Sequence, residues 1–215
     1  MKVMKLIVVS ALVVSIVGIS QASIITGVDR TGGRSANKLP VGVYDGDTDP
    51  LSSNPLADGE LVFSDREYPL FGTPAEMIGY EYVRAFNDDK DNDEYDVSYM
   101  VTIGEAAPLW IAVDDRLATH GEFNDLLAWV ELATYRLPAN ITFADTGLDL
   151  VIREKSDGTA DKPMSVFMTT EDLPAGTYDF GLNPGGKNFY ILGTVPEPAT
   201  FVILGLGGLL LRRRR

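Results

Sequence analysis

The sequence predicts an all-β domain, an antiparallel β-sandwich of jelly-roll type, set between an amino-terminal signal helix and a short apolar helix at the carboxyl end. Three observations carry that expectation. The first is period-two alternation, clearest where Tyr95, Val97, Tyr99, Val101 and Ile103 face one way and Asp96, Ser98, Met100 and Thr102 the other. The second is turn punctuation: Asp157-Gly158, Pro174-Ala175-Gly176 and Asn183-Pro184-Gly185-Gly186 are spaced by about a strand. The third is size, because about 170 residues remain between the two end signals, enough for one domain with a real core.

In chain order, Lys2 and Lys5 precede an almost unbroken apolar run from Leu6 to Ile19, followed by the small-x-small exit Ser20-Gln21-Ala22. That is the anatomy of a secretory signal peptide over residues 1–22, cut by signal peptidase between Ala22 and Ser23. The domain then covers residues 23–194. Asp45, Asp47 and Asp49, with Gly46 between them, form a first oxygen-rich cluster. Ile78, Tyr80 and Tyr82 alternate as a strand would. A second acidic loop follows, in which Asp89, Asp91 and Asp93 alternate and suit a hard cation such as calcium. It is no EF-hand, since counting from Asp89 puts Glu94 at the sixth position and Met100 at the twelfth. The competing reading of both clusters is a solvated loop whose carboxylates add only charge.

Beyond the best strand, Leu109 to Val113 is continuously apolar and fits a strand buried on both faces. Phe123, Leu126, Leu127 and Val130 recur at helical spacing within Glu122 to Thr134, although Trp129 to Tyr135 reads equally well as a strand. Alternation resumes at Leu148, Leu150 and Ile152, at Met164, Val166 and Met168, and at Tyr178, Phe180 and Leu182.

Charge narrows the partners. Of 18 basic residues, Lys2, Lys5 and Arg212 to Arg215 lie in the two end signals, whereas of 31 acidic ones only Glu197 does. The domain therefore carries a net charge of about −18, which repels nucleic acid and anionic lipid and favours solubility or divalent cations. The chain has no cysteine, so a fold destined for export relies on its core, or on its core and bound metal, rather than on disulfides, and thiol catalysis is excluded.

Residues 195–215 read VPEPATFVILGLGGLLLRRRR. Pro196 and Pro198 flank Glu197 and hold the chain extended. The apolar run from Ala199 to Leu211 gives about 20 Å of helix at 1.5 Å per residue, against a hydrocarbon core of about 30 Å. Arg212, Arg213, Arg214 and Arg215 resist translocation and stay on the cytoplasmic side. This tail resembles the PEP-CTERM sorting signal of bacterial exported proteins. The resemblance implies recognition by an exosortase, a membrane peptidase, with transient insertion in the inner membrane and then delivery to the cell surface or exopolysaccharide matrix. A plain membrane anchor is the alternative.

Trp110-Ile111-Ala112-Val113-Asp114-Asp115-Arg116, with Gly176 to Asn183 and Asn188 to Ile191, is similar to galactose-binding-like jelly-roll modules of bacterial polysaccharide-degrading enzymes. The likeness implies a fold rather than a ligand. Candidate ligand residues are Arg84, Trp110, Asp114, Asp115 and Arg116; Tyr80, Tyr82, Trp129 and Tyr190 read as a sugar platform or as core. Asp114, Asp115 and Arg116 sit where a buried strand meets a loop and read as a ligand site or as a local ion pair. The sole histidine, His120, sits in a turn, and no nucleophile elbow, metal-binding histidine pair or phosphate loop occurs. The sequence thus favours a non-catalytic exported surface or exopolysaccharide-associated protein with no certain cofactor. A carbohydrate-binding module, calcium-dependent through the acidic loops, is the alternative, and a polysaccharide hydrolase using paired carboxylates comes third.

Overall fold

The computed structural model describes residues 23–32, 42–43, 55–90, 97–119, 125–155, 158–181 and 187–196. The strands are β1 (Ile25–Thr31), β2 (Gly42–Val43), β3 (Glu81–Val83), β4 (Ser98–Ile103), β5 (Leu109–Asp114), β6 (Phe143–Arg153), β7 (Asp161–Thr169), β8 (Gly176–Gly181) and β9 (Ile191–Thr194), with helix α1 (Leu126–Ala133) between β5 and β6. They form one four-stranded sheet, in the order β2-β1-β4-β8, and one five-stranded sheet, in the order β3-β9-β5-β7-β6. Every pairing is antiparallel. The buried side chains of both sheets join one core cluster, as the alternation requires of a sandwich. The predicted signal helix, the apolar tail helix and Asp45, Asp47, Asp49, Asp91, Asp93 and His120 lie outside the described residues, among which no helix is long and apolar enough to cross a membrane.

The alternation of β4 holds: Val97, Tyr99, Val101 and Ile103 are buried while Ser98, Met100 and Thr102 are partly exposed. All six residues of β5 are buried, as the continuous apolar run predicts. In β6 and β7, Leu150, Ile152, Met164 and Val166 are buried as the alternation predicts, whereas Leu148 and Met168 are only partly buried and Phe167 is buried out of phase. β6 is an edge strand, and the chain around Pro69 to Phe71 covers it: Phe71 N–H donates to the Val151 carbonyl and Arg153 N–H to the Pro69 carbonyl, both at 2.9 Å. That pairing hides an edge which would otherwise template aggregation.

One expectation is corrected and one open alternative is resolved. The alternation of Ile78, Tyr80 and Tyr82 yields a strand only from Glu81 to Val83, because Gly79 turns the chain at φ 94° and Ile78 stands 59% exposed on that turn. The ambiguous segment after residue 125 is a helix, not a strand. Asp125 caps it from an extended conformation, its carboxylate accepting the Leu127 N–H at 3.0 Å, and Trp129, Val130 and Ala133 form the buried stripe. The Trp129 indole donates to the Leu117 carbonyl at 3.1 Å, which fixes α1 to the turn after β5.

Candidate functional site

Strand register turns Arg30 inward. Arg30 of β1 lies opposite Tyr99 of β4, which lies opposite Phe180 of β8, so the three share the core face. A guanidinium there needs a counter-charge. Asp89, on the single 3-10 turn Asn87–Lys90, supplies it: Arg30 Nε and Nη2 donate to the two carboxylate oxygens at 2.8 and 2.6 Å, with both side chains fully buried. The Tyr99 hydroxyl donates to the same carboxylate at 2.7 Å and accepts the Phe86 N–H at 2.9 Å, while the Phe86 ring lies 4.8 Å from the guanidinium. Burial, then the Asp89 charge, push the Tyr99 phenol well above its usual range. Asp89 is therefore a core counter-ion rather than the loop calcium ligand its spacing predicted. Its neighbour Asp88 pairs with Arg66. Among the described residues no group of three or more His, Asp or Glu side chains is placed to hold a metal ion.

The strand-to-loop candidates at the end of β5 form a second inward network. Arg116 donates to Asp114 through Nε at 2.8 Å and Nη2 at 2.5 Å, and its backbone N–H adds a third bond at 3.0 Å. Glu154 stands 3.5 Å from the same guanidinium and accepts Asn188 Nδ2 at 3.0 Å. Asn188 in turn accepts Asn87 Nδ2 at 3.2 Å, and Phe189 N–H donates to Asn87 Oδ1 at 2.8 Å. Asp115 accepts the backbone N–H and the hydroxyl of Ser165 at 2.8 and 2.7 Å. Asp114, Asp115 and Arg116 are thus spent on tying the β5 end to β7 and to the segments around residues 154 and 188. The local ion-pair reading describes them better than the ligand reading. Asn87, Glu154 and Asn188 were missed, since nothing local in the sequence marks partners about 34 to 100 residues apart.

The aromatic platform does not form. Trp110 and Tyr82 are fully buried, Tyr190 is 1% exposed and Trp129 5%, so none of these four offers a ring face to a sugar, and Tyr80 is half-buried against the core. Trp110 packs on Gly193 of β9, where a Cβ would lie 2.7 Å from the indole and would also meet the Glu81 carbonyl oxygen. Arg84 reaches only the Phe63 carbonyl, at 3.4 Å. Elsewhere on the surface lies a cleft of about 190 Å³ whose lining includes Asn140, Ile141, Thr142, Glu171, Asp172 and Tyr178.

Both ends of the domain meet at one pole. The Glu81 carboxylate accepts the Ile24 N–H at 2.9 and 3.1 Å, the Ile25 N–H at 2.9 Å and the Ser23 hydroxyl at 3.1 Å. Ser23 is exposed and Ile24 fully buried. The Glu81 backbone is the partner of Thr194, and Val195 N–H donates to the Pro108 carbonyl at 3.1 Å. Pro196 comes next, and with no N–H it cannot extend the ladder.

A family model, the PEP-CTERM protein-sorting motif, matches residues 194–215, where the strand pairing ends. The chain carries that motif, which marks exported proteins for exosortase processing and sorting to the cell surface. No curated protein matches the chain. Among solved structures it is similar to a β-glucuronidase from glycoside hydrolase family 2, with 17% identity and a TM-score of 0.46 over 74% of this chain. The match spans 16% of that enzyme's length.

Proposed function

We propose that this protein is an exported, non-catalytic β-sandwich delivered by its tail to the cell surface or exopolysaccharide matrix, where the acidic domain serves as a structural or adhesive element. The observation that carries this reading is the abutment of the sorting motif, residues 194–215, on β9, the last strand among the described residues. Pro196 has no N–H to give a sheet, and a Pro-Glu-Pro sequence favours the extended backbone that a peptidase takes. The apolar run holds the chain transiently, and Arg212 to Arg215 keep its end inside until processing is done. A signal peptidase acting after Ala22 starts the same route from the other end.

Replacing both Pro196 and Pro198 with Ala tests this. Full-length protein should accumulate in the inner membrane, and a variant that reaches the surface at the wild-type rate contradicts the reading. A stop codon after Pro196 should release a folded periplasmic domain, because it keeps the Val195 bond to Pro108.

The cleft lined by Asn140, Thr142, Glu171, Asp172 and Tyr178 favours a second reading, a carbohydrate-binding module. A partly buried tyrosine ring beside amide, hydroxyl and carboxylate groups is the chemistry that a sugar ring takes. A glycan array decides between the two: saturable binding lost in Tyr178→Ala supports the module, and silence supports a purely structural role.

A further inference from the structure

The tail leaves the fold with no slack. β9 lies between β3 and β5, so its backbone is bonded on both sides, and all four residues from Ile191 to Thr194 are buried. Pairing continues to Val195 through Pro108. From there to Pro198 an extended chain reaches only about 10 Å. A peptidase binds its substrate extended for several residues around the bond it cuts, usually through the same backbone groups that a sheet uses. For a cut in the Pro-Glu-Pro stretch, the residues on the amino side are those of β9. Their hydrogen-bonding groups cannot serve the sheet and a peptidase cleft together.

A second observation concerns how firmly that strand end is held. The Thr194 hydroxyl is buried with no hydrogen-bond partner. Such a group weakens the packed state, and an apolar isostere in its place is neutral or stabilising. Strand ends held this way open locally more often than the core opens as a whole.

We propose that β9 is a brake on tail processing: the exosortase takes the chain only when the Gly193 to Val195 end has peeled from β3 and β5, and the unpartnered Thr194 hydroxyl sets how often it does. This inference rests on the sorting reading above and adds to it where the peptidase grips. The brake explains why a cleavage signal can abut a stable fold: pairing of β9 limits the rate, and release of a short strand end costs far less than unfolding the sandwich.

The test follows processing by pulse-chase in cells that contain the peptidase. Four chains are compared: wild type, Thr194→Val, wild type with about eight Gly and Ser residues inserted between Val195 and Pro196, and Thr194→Val with the same insert. The insert supplies a flexible lead of roughly 15 Å and leaves every strand untouched. Thr194→Val should be processed more slowly, by about fivefold. The insert should speed processing, and the two chains that carry it should be cut at equal rates. If wild type is cut and the insert brings no acceleration, or if Thr194→Val slows the inserted chain as much as the normal one, the brake is wrong while the sorting reading stands. If wild type never loses its arginines, the sorting reading fails first and the brake with it.

Discussion

The buried pair of Arg30 and Asp89 makes the sharpest demand on single residues. Two charges held in the core gain little over a well-packed apolar pair, but removing one partner strands the other. Asp89→Asn should therefore destabilise the domain by about 3 to 5 kcal/mol, read as a fall in the urea midpoint. A solvated loop aspartate would give almost no change. Tyr99 adds a pH dependence of definite sign. Its folded pKa is raised, so the folded state keeps a proton that the unfolded state loses above about pH 10, and stability must fall as pH rises past that value. Tyr99→Phe should flatten that alkaline fall, measured as urea midpoints against pH. Neither role was legible in the sequence. Asp89 stands in a run of acids that all look alike, and its partner lies 59 residues away on a strand where periodicity predicts an apolar side chain. Pairwise chemistry across sheets leaves no local pattern to read.

At the scale of elements, legibility followed periodicity. β4 and β5 were readable because burial there depends only on alternation or on its absence. β3 was overread, since a glycine with positive φ converts an apparent strand start into a turn without disturbing the period of two. The helix was half read: its apolar spacing was visible, while its start depends on Asp125, one more acid in an acidic chain. Asp125→Ala should cost about 1 kcal/mol, seen as a lower thermal midpoint, while Asp125→Ser should nearly restore the wild-type value. Loss of that cap also loosens the Trp129 bond to Leu117, so tryptophan fluorescence should report the same transition. The candidate site followed the same logic. The Asp114-Asp115-Arg116 run was visible as a strand end, but whether it faced a ligand or its own fold was decided by Glu154, Ser165 and Asn188, which come from distant segments.

For the whole molecule, the two ends matter more than the middle. The first and last strands of the described domain emerge beside Glu81, which holds Ile24 and Ile25 with its carboxylate and Thr194 with its backbone. A chain tethered at both ends during export would thus present one pole to the membrane and leave the opposite polar network facing away. The carboxyl-terminal sorting motif was fully legible because it is a linear sequence pattern that needs no fold to be read. The domain's partner was not, because a sandwich of this kind is defined by its core while specificity lies in a few surface side chains. The proposed route requires that both end signals be removed on the way to the surface, and intact-mass analysis of protein recovered from the outer surface or matrix measures this directly. The expected species begins at Ser23 and lacks Arg212 to Arg215; a surface species that retains Met1 or Arg215 overturns the route and leaves a simple anchored protein in its place.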